Sequence, residues 1–201
     1  MCAKLFLIRH GETDWNYQRR YCSFTDLDLN EKGKNQARQV HKILNKEVIH
    51  KVYTSDRKRT CEFAGIVFKG LPIEKLPDLR EIKFGIFEGL TYQEIMKAYP
   101  KIYRGWLDDP LNLAIPEGES LNNLAERVRK TLARILSHNR NRTVAIVTHA
   151  GPIRVILCDT LNLDLKEIWQ IEPDLASISI IEFVKGRGRI CLLNDTSYLN
   201  G

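Results

Sequence analysis

Leu5-Phe6-Leu7-Ile8-Arg9-His10-Gly11 is a wholly apolar run of four residues halted by arginine, histidine and glycine. A run this short and without polar alternation reads as a strand buried on both faces, the pattern of a parallel sheet covered by helices. A second such stretch, Thr143 to Thr148, is β-branched and is halted in the same way, by His149-Ala150-Gly151. Between and around them the chain alternates. Val52-Tyr53-Thr54 reads as a short strand, and Ser177–Val184 with Arg189–Leu193, separated by Lys185-Gly186-Arg187-Gly188, as a hairpin. Helical spacing marks Glu31 to Lys46 behind an Asn30 N-cap, a segment through Arg59, Phe63, Ala64 and Val67 capped by Ser55-Asp56, and about Ser120 to Ser137. Pro100 divides two further helical segments between Thr91 and Asp109, and another helix begins near Pro152. Strands alternating with helices, then a hairpin, predict an α/β sandwich with an antiparallel edge.

The 201 residues suit one domain, 1–201, with a small cap-like insertion at about 83–118. The charge of +6 favours anionic partners, but the basic residues are scattered and no recognition helix or RNA motif is present, so no nucleic acid is expected. No apolar run reaches spanning length and the start turns polar at once, so neither membrane nor leader peptide is expected. Five widely spaced cysteines without a C-x-x-C pair suit a reduced cytoplasmic compartment, with Cys158 and Cys191 expected in the core.

Ligands of open α/β sheets bind beyond the C-terminal ends of the strands, where both histidines stand. H-E-x-x-H, G-x-S-x-G and G-x-x-x-x-G-K patterns are all missing, which leaves metal, serine and nucleotide-loop chemistry without support. Imidazole is a competent nucleophile towards phosphorus, and guanidinium groups match phosphoryl oxygens through paired donors. Phosphoryl transfer through a phosphohistidine is the chemistry these residues suit best.

The stretch from Leu7 to Asn16 resembles the signature of the histidine phosphatase, or phosphoglycerate mutase-like, superfamily. The resemblance continues through Thr25–Gly33, Tyr53–Asp56 with Arg59, Leu79-Arg80-Glu81, Phe84–Gly89, Pro116–Ser120 and Val147–Gly151. It implies a three-layer α/β/α sandwich with a mostly parallel central sheet. It implies that His10 is phosphorylated, that Arg9, Arg59 and His149 hold the phosphoryl group with Asn16 at its rim, and that Glu81 is the proton donor. Glu88 is expected to be a nearby structural carboxylate. Three departures, at Cys22-Ser23, Asp28 and Asp56-Arg57, fall on the substrate rim and remove no catalytic group. The compact form resembles the phosphatases rather than the mutases, and Arg20-Tyr21 with Phe24-Thr25-Asp26 looks most like the alpha-ribazole phosphatases, which act in the late cobalamin pathway. The alternatives are a broad-specificity or sugar-phosphate phosphatase and, behind these, a phosphoglycerate mutase or a non-catalytic phospholigand-binding protein. Tyr21, Phe24, Phe84 and Trp106 are the candidate rim aromatics, with Arg19, Arg20, Lys83 and Arg104 offering a positive approach. No cofactor is expected, the partner is a small phosphomonoester, and the chain is expected to be a monomer or homodimer.

Overall fold

A computed structural model describes residues 2–200. Six strands form one sheet in the order β3-β2-β4-β1-β5-β6: β1 (Cys2–Arg9), β2 (Lys51–Thr54), β3 (Ile73–Lys75), β4 (Thr143–Thr148), β5 (Ile178–Val184) and β6 (Arg187–Asp195). The four strands from β3 to β1 are parallel, and β5 and β6 add antiparallel to the β1 side. This is the expected α/β/α sandwich, mostly parallel in its centre with an antiparallel edge.

The apolar run of β1 works on both faces at once. Leu5 and Leu7 join Val144, Ile146 and the helices α6 (Leu121–His138) and α7 (Ala150–Leu161). Phe6 and Ile8, one pleat out of phase, join Ala145, Val147 and the helices α2 (Glu31–Leu44) and α3 (Lys58–Val67). All four β1 side chains are fully buried, so Phe6→Ala would cost about 3–5 kcal/mol in lost transfer and cavity energy. A third apolar cluster, centred on Phe87, Tyr103 and Trp106, belongs to the segment carrying α4 (Tyr92–Ala98) and α5 (Pro100–Asp108). Tyr21 and Arg20 tie the first loop to that segment, through a 3.0 Å hydroxyl pair with Tyr103 and a 2.7 Å bond to the Gly89 carbonyl.

Local chemistry explains the helix ends. Asn30 and Ser120 cap α2 and α6 by accepting from Gly33 N and Asn123 N. The expected Ser55-Asp56 cap of α3 does not form. The N-cap is Arg57, without a side-chain bond, because Asp56 is taken by Arg80 and Ser55 by the site described below. The loop from residue 12 to residue 30 holds a short helix, α1 (Asp14–Tyr17), closed by a Thr13/Asn16 capping box. The hairpin turn is shorter than expected: Lys185 and Gly186, both at positive φ, connect strands that run to 184 and from 187. Cys158 is buried, but Cys191 is exposed, because β6 is an edge strand with one open face. Among the described residues no helix is long and apolar enough to cross a membrane.

Candidate active site

Strand register brings the two histidines together. Arg9 pairs with Thr148 across the parallel β1–β4 ladder, so His10 and His149 are the next residues on neighbouring chains. Adjacent strands lie about 4.8 Å apart, and the two imidazole centroids are 5.1 Å apart, edge to face. The next register is also used: Thr54 pairs with Val147, which carries Ser55 close enough to bond His149 Nε2 through its hydroxyl at 3.0 Å.

His10 is held by its backbone and by one ring nitrogen. Its N–H donates to the Thr148 carbonyl, and its own carbonyl accepts from Ala176. Nδ1 lies 2.7 Å from the Gly11 carbonyl. A carbonyl only accepts, so Nδ1 carries the proton and Nε2 keeps its lone pair. Burial, followed by the positive charges of Arg59 and Arg9, holds the His10 pKa well below the ordinary imidazole value. His149 is lowered in the same direction, by burial first and then by Arg59. Both rings are therefore neutral at neutral pH.

The glycines around this loop permit close packing. A Cβ on Gly33 would fall 2.1 Å from the Glu12 carbonyl, and one on Gly11 would fall 2.7 Å from the Gly33 carbonyl. The first turn of α2 thus rests directly on the chain that follows His10. Glu12 extends the brace by accepting from Lys32 Nζ at 2.8 Å and Asn30 Nδ2 at 3.0 Å.

Arg59 is only 1% exposed although it carries a charge. Its two terminal nitrogens donate to the carbonyls of Thr25 and Ser23 at 3.0 and 2.9 Å. Arg9 donates through Nη1 to the Pro173 carbonyl at 2.7 Å. Arg9 Nε, Arg59 Nε and His149 Nδ1 are buried with no hydrogen-bond partner in the protein. Unpaired buried polar groups are uncommon and costly, and these three belong to residues clustered around His10. An anion beside His10 would accept from the two arginine Nε–H groups, and from His149 Nδ1 when that nitrogen, rather than the Nε2 bonded to Ser55, carries the ring proton.

Glu81 lines the same cavity as His10, Arg9 and Arg59. Its Oε1 accepts from Ile82 N at 2.8 Å and from Gly151 N, in the first turn of α7, at 2.9 Å. A Cβ at Gly151 would lie 2.1 Å from that oxygen, so only glycine leaves room for the carboxyl. Oε2 makes no hydrogen bond to the protein among the described residues, and Glu81 lines the cavity. The Glu81 loop is braced from behind by Arg127, which donates to the carbonyls of Asp78, Arg80 and Glu81 at 2.7, 2.8 and 3.0 Å. Glu119 anchors the same guanidinium. Sequence reasoning missed Arg127, because one more arginine on an amphipathic helix carries no signal of its own.

A cavity of about 450 Å³ opens over these groups, lined by Arg9, His10, Arg59, Glu81 and Asn16. Asn16 uses its Oδ1 in the Thr13 capping box, which leaves its amide nitrogen free for a ligand. Of the four rim aromatics expected, Tyr21 and Phe84 line the cavity, with ring centroids 4.9 Å apart. The other two do not. Phe24 lies outside the lining, its ring approached by the cations of Arg57, Arg80 and Lys83. Trp106 is buried in the third apolar cluster against Tyr103 and Trp169. Arg19 and Arg20 also line the cavity, whereas Lys83 and Arg104 are not in its wall. Glu88 is not in the cavity lining; it accepts from the backbone N–H groups of Ser23 and Thr25 at 2.9 and 3.0 Å, fixing the loop whose carbonyls hold Arg59. Among the described residues no three His, Cys, Asp or Glu side chains are grouped to hold a metal ion.

Comparison with known proteins identifies the family. The family model described as histidine phosphatase superfamily (branch 1) matches residues 5–196. The chain belongs to that superfamily. It is similar to Phosphoserine phosphatase 1 of Hydrogenobacter thermophilus, 35% identical over 98% of this chain and 94% of that protein. It is also similar to the Adenosylcobalamin/alpha-ribazole phosphatase of Salmonella typhimurium, 26% identical over 96% of each. Among solved structures, Bacillus stearothermophilus YhfR superposes with a TM-score of 0.92 at 31% identity, over 98% of this chain and 99% of that one.

Proposed function

We propose that this histidine phosphatase superfamily member hydrolyses phosphomonoesters through a phosphohistidine on His10. One observation carries the reading: a neutral, lone-pair-bearing His10 Nε2 whose neighbours Arg9, Arg59 and His149 each hold a buried side-chain nitrogen with no hydrogen-bond partner in the protein. The cavity holds one rival nucleophile, Cys22, but burial pushes its thiol up to about 11, so it is protonated at neutral pH.

The cycle has two displacements. His10 Nε2 attacks phosphorus while the ester P–O bond breaks, and the departing alkoxide takes a proton from Glu81 Oε2. A water then attacks the phosphohistidine, giving its proton to Glu81 as the P–N bond breaks and phosphate leaves. Arg9, Arg59 and His149 would neutralise charge on the equatorial oxygens in both steps, usually the largest catalytic contribution. The test is direct. Mass spectrometry of enzyme quenched during turnover should find one phosphoryl group on His10, and turnover without such labelling would reject the covalent route.

The substrate is the finer part of the proposal. Alpha-ribazole 5′-phosphate, favoured by the sequence resemblance, is supported by Tyr21 and Phe84 in the wall and by the Salmonella relative's activity. A second reading, a small charged phosphoester, is favoured by Arg19, Arg154 and Glu172 in the same wall and by the Hydrogenobacter relative's name. Comparing kcat/KM for alpha-ribazole 5′-phosphate and O-phosphoserine separates the two.

A further inference from the structure

Beyond the phosphoryl well, the cavity wall carries two opposite charges that do not neutralise each other. Arg154, one turn into α7, and Glu172, in the loop before β5, both line the cavity. No ion pair joins them among the described residues, and the Glu172 carboxylate makes no hydrogen bond to the protein.

Arg154 is firmly placed all the same. Its Nε donates to the Ile171 carbonyl at 2.7 Å, and its guanidinium lies 5.2 Å from the centre of the Trp169 ring. Trp169 in turn packs edge-on against buried Trp106, with ring centroids 5.6 Å apart. The two terminal nitrogens of Arg154 are left with no hydrogen-bond partner in the protein. A guanidinium held at its Nε and its face, with both outer nitrogens free, presents the paired donors that match a carboxylate. Glu172 is held by its backbone, whose carbonyl accepts from Asn194 Nδ2 at 3.1 Å. One short loop connects this wall to the well, since Ile171 binds Arg154 and Pro173 binds Arg9 through their carbonyls.

We propose that Arg154 and Glu172 form a charge-selective subsite for the alcohol portion of the substrate, Arg154 binding a carboxylate and Glu172 an ammonium group. The preferred substrates are then small zwitterionic phosphomonoesters, such as the phosphate ester of a hydroxyl-bearing amino acid. The inference rests on His10 being the site of phosphoryl transfer. Arg154 is half-buried and Glu172 is exposed, so a substrate lacking either charge forgoes one pairing at the cavity mouth, which is how charge-matched walls discriminate.

Three probes share one carbon skeleton and differ by one charge at a time: O-phosphoserine, 3-phosphoglycerate and glycerol 3-phosphate. The wild-type kcat/KM should fall at each step in that order, by about tenfold or more per lost charge pair. Arg154→Gln should erase most of the step between 3-phosphoglycerate and glycerol 3-phosphate, and Glu172→Gln most of the step between O-phosphoserine and 3-phosphoglycerate. Arg154→Lys, which keeps the charge and loses the fork, should fall between Arg154→Gln and wild type; thermal melting of each variant verifies folding. Equal wild-type kcat/KM for all three probes, with His10 labelled and p-nitrophenyl phosphate turned over, would overturn the subsite and leave the phosphatase reading intact. A uniform loss on all three probes in a folded Arg154→Gln would also overturn it. Absence of His10 labelling with every ester would reject the phosphoryl-transfer reading itself.

Discussion

At the floor of the cavity, His10 is pinned through its backbone and Nδ1, Arg59 through two carbonyls, and Glu81 through two N–H groups. At the outer wall, Arg19 is exposed, Arg154 is half-buried with its ends free, and the Glu172 carboxylate stands without a partner. The floor is set by strand register, by helix ends and by loops tied down through buried hydrogen bonds, so its geometry is held by many contacts at once. The wall is set by loop residues and by the free ends of long side chains, Arg154 on α7 among them. Chemistry common to many esters requires the first kind of construction, and selection among esters is served by the second.

Substitutions test that division most sharply at the floor. His10→Ala should abolish both labelling and turnover, a loss of about 10⁴-fold or more; residual activity within tenfold of wild type would remove His10 from the nucleophile's role. Glu81→Gln should slow alcohol release by about 10²–10⁴-fold. That loss should be greatest for esters of poorly acidic alcohols, and equal losses for nitrophenol and alkyl esters would exclude the proton-donor role. Gly151→Ala should cost about a hundredfold in kcat by displacing the carboxyl roughly 1 Å, with His10 labelling by a nitrophenyl ester largely retained. An unchanged kcat for alkyl esters would show that Glu81 does not need its α7 contact.

Arg127 sits behind the floor and acts only through Glu81. Arg127→Met should lower kcat for alkyl esters by about tenfold with KM little changed, because the carboxyl loses alignment rather than substrate affinity. Arg127→Lys should recover only part of this, since three carbonyls and a carboxylate need the fork. A parallel rise in KM would point to a general loosening of the wall.

The last expected effect is on stability against pH rather than on rate. Both histidines are neutral and buried in the native state, with pKa values held below the ordinary value near 6.5 that applies in the unfolded chain. Between those native values and about 6.5 the unfolded state binds more protons. Stability therefore rises with pH across that window and declines on acidification below about 6.5, with a slope of about 1.4 kcal/mol per pH unit for each histidine. Asp56, lowered to about 2 chiefly by its hydrogen bond with Arg80, acts in a lower range: its contribution is present above its ordinary 3.8 and is lost as pH falls towards 2. Urea midpoints between pH 7.5 and 5 should show the decline in wild type and a shallower one in His149→Gln. Identical slopes would mean the ring does not titrate as its burial requires.

Much of the floor was legible because two strands end in histidine: Leu5–Ile8 reads as a strand buried on both faces, and Thr143–Thr148 as a β-branched strand. The β3 strand was not legible, since Ile73-Glu74-Lys75 holds a single apolar residue and pairs only along one side of β2. Trp106 looked like a rim aromatic because its place in the chain lies within the cap-like segment, yet apolar burial against Tyr103 and Trp169 outweighs any use at the surface. Phe24 was misplaced for a different reason, its ring being drawn into contact with three cations that come from distant parts of the chain.

The order of residues alone determined the sheet's central strands, the helices on its two faces and the two imidazoles at the strand ends, because periodicity and chain-breaking residues act over a few positions. Only the tertiary structure decided that Arg9 pairs with Thr148, that Gly151 admits the Glu81 carboxyl, that Arg127 steadies it, and that Arg154 and Glu172 share a wall. Those relations depend on register and close approach between segments tens of residues apart, which no local pattern records.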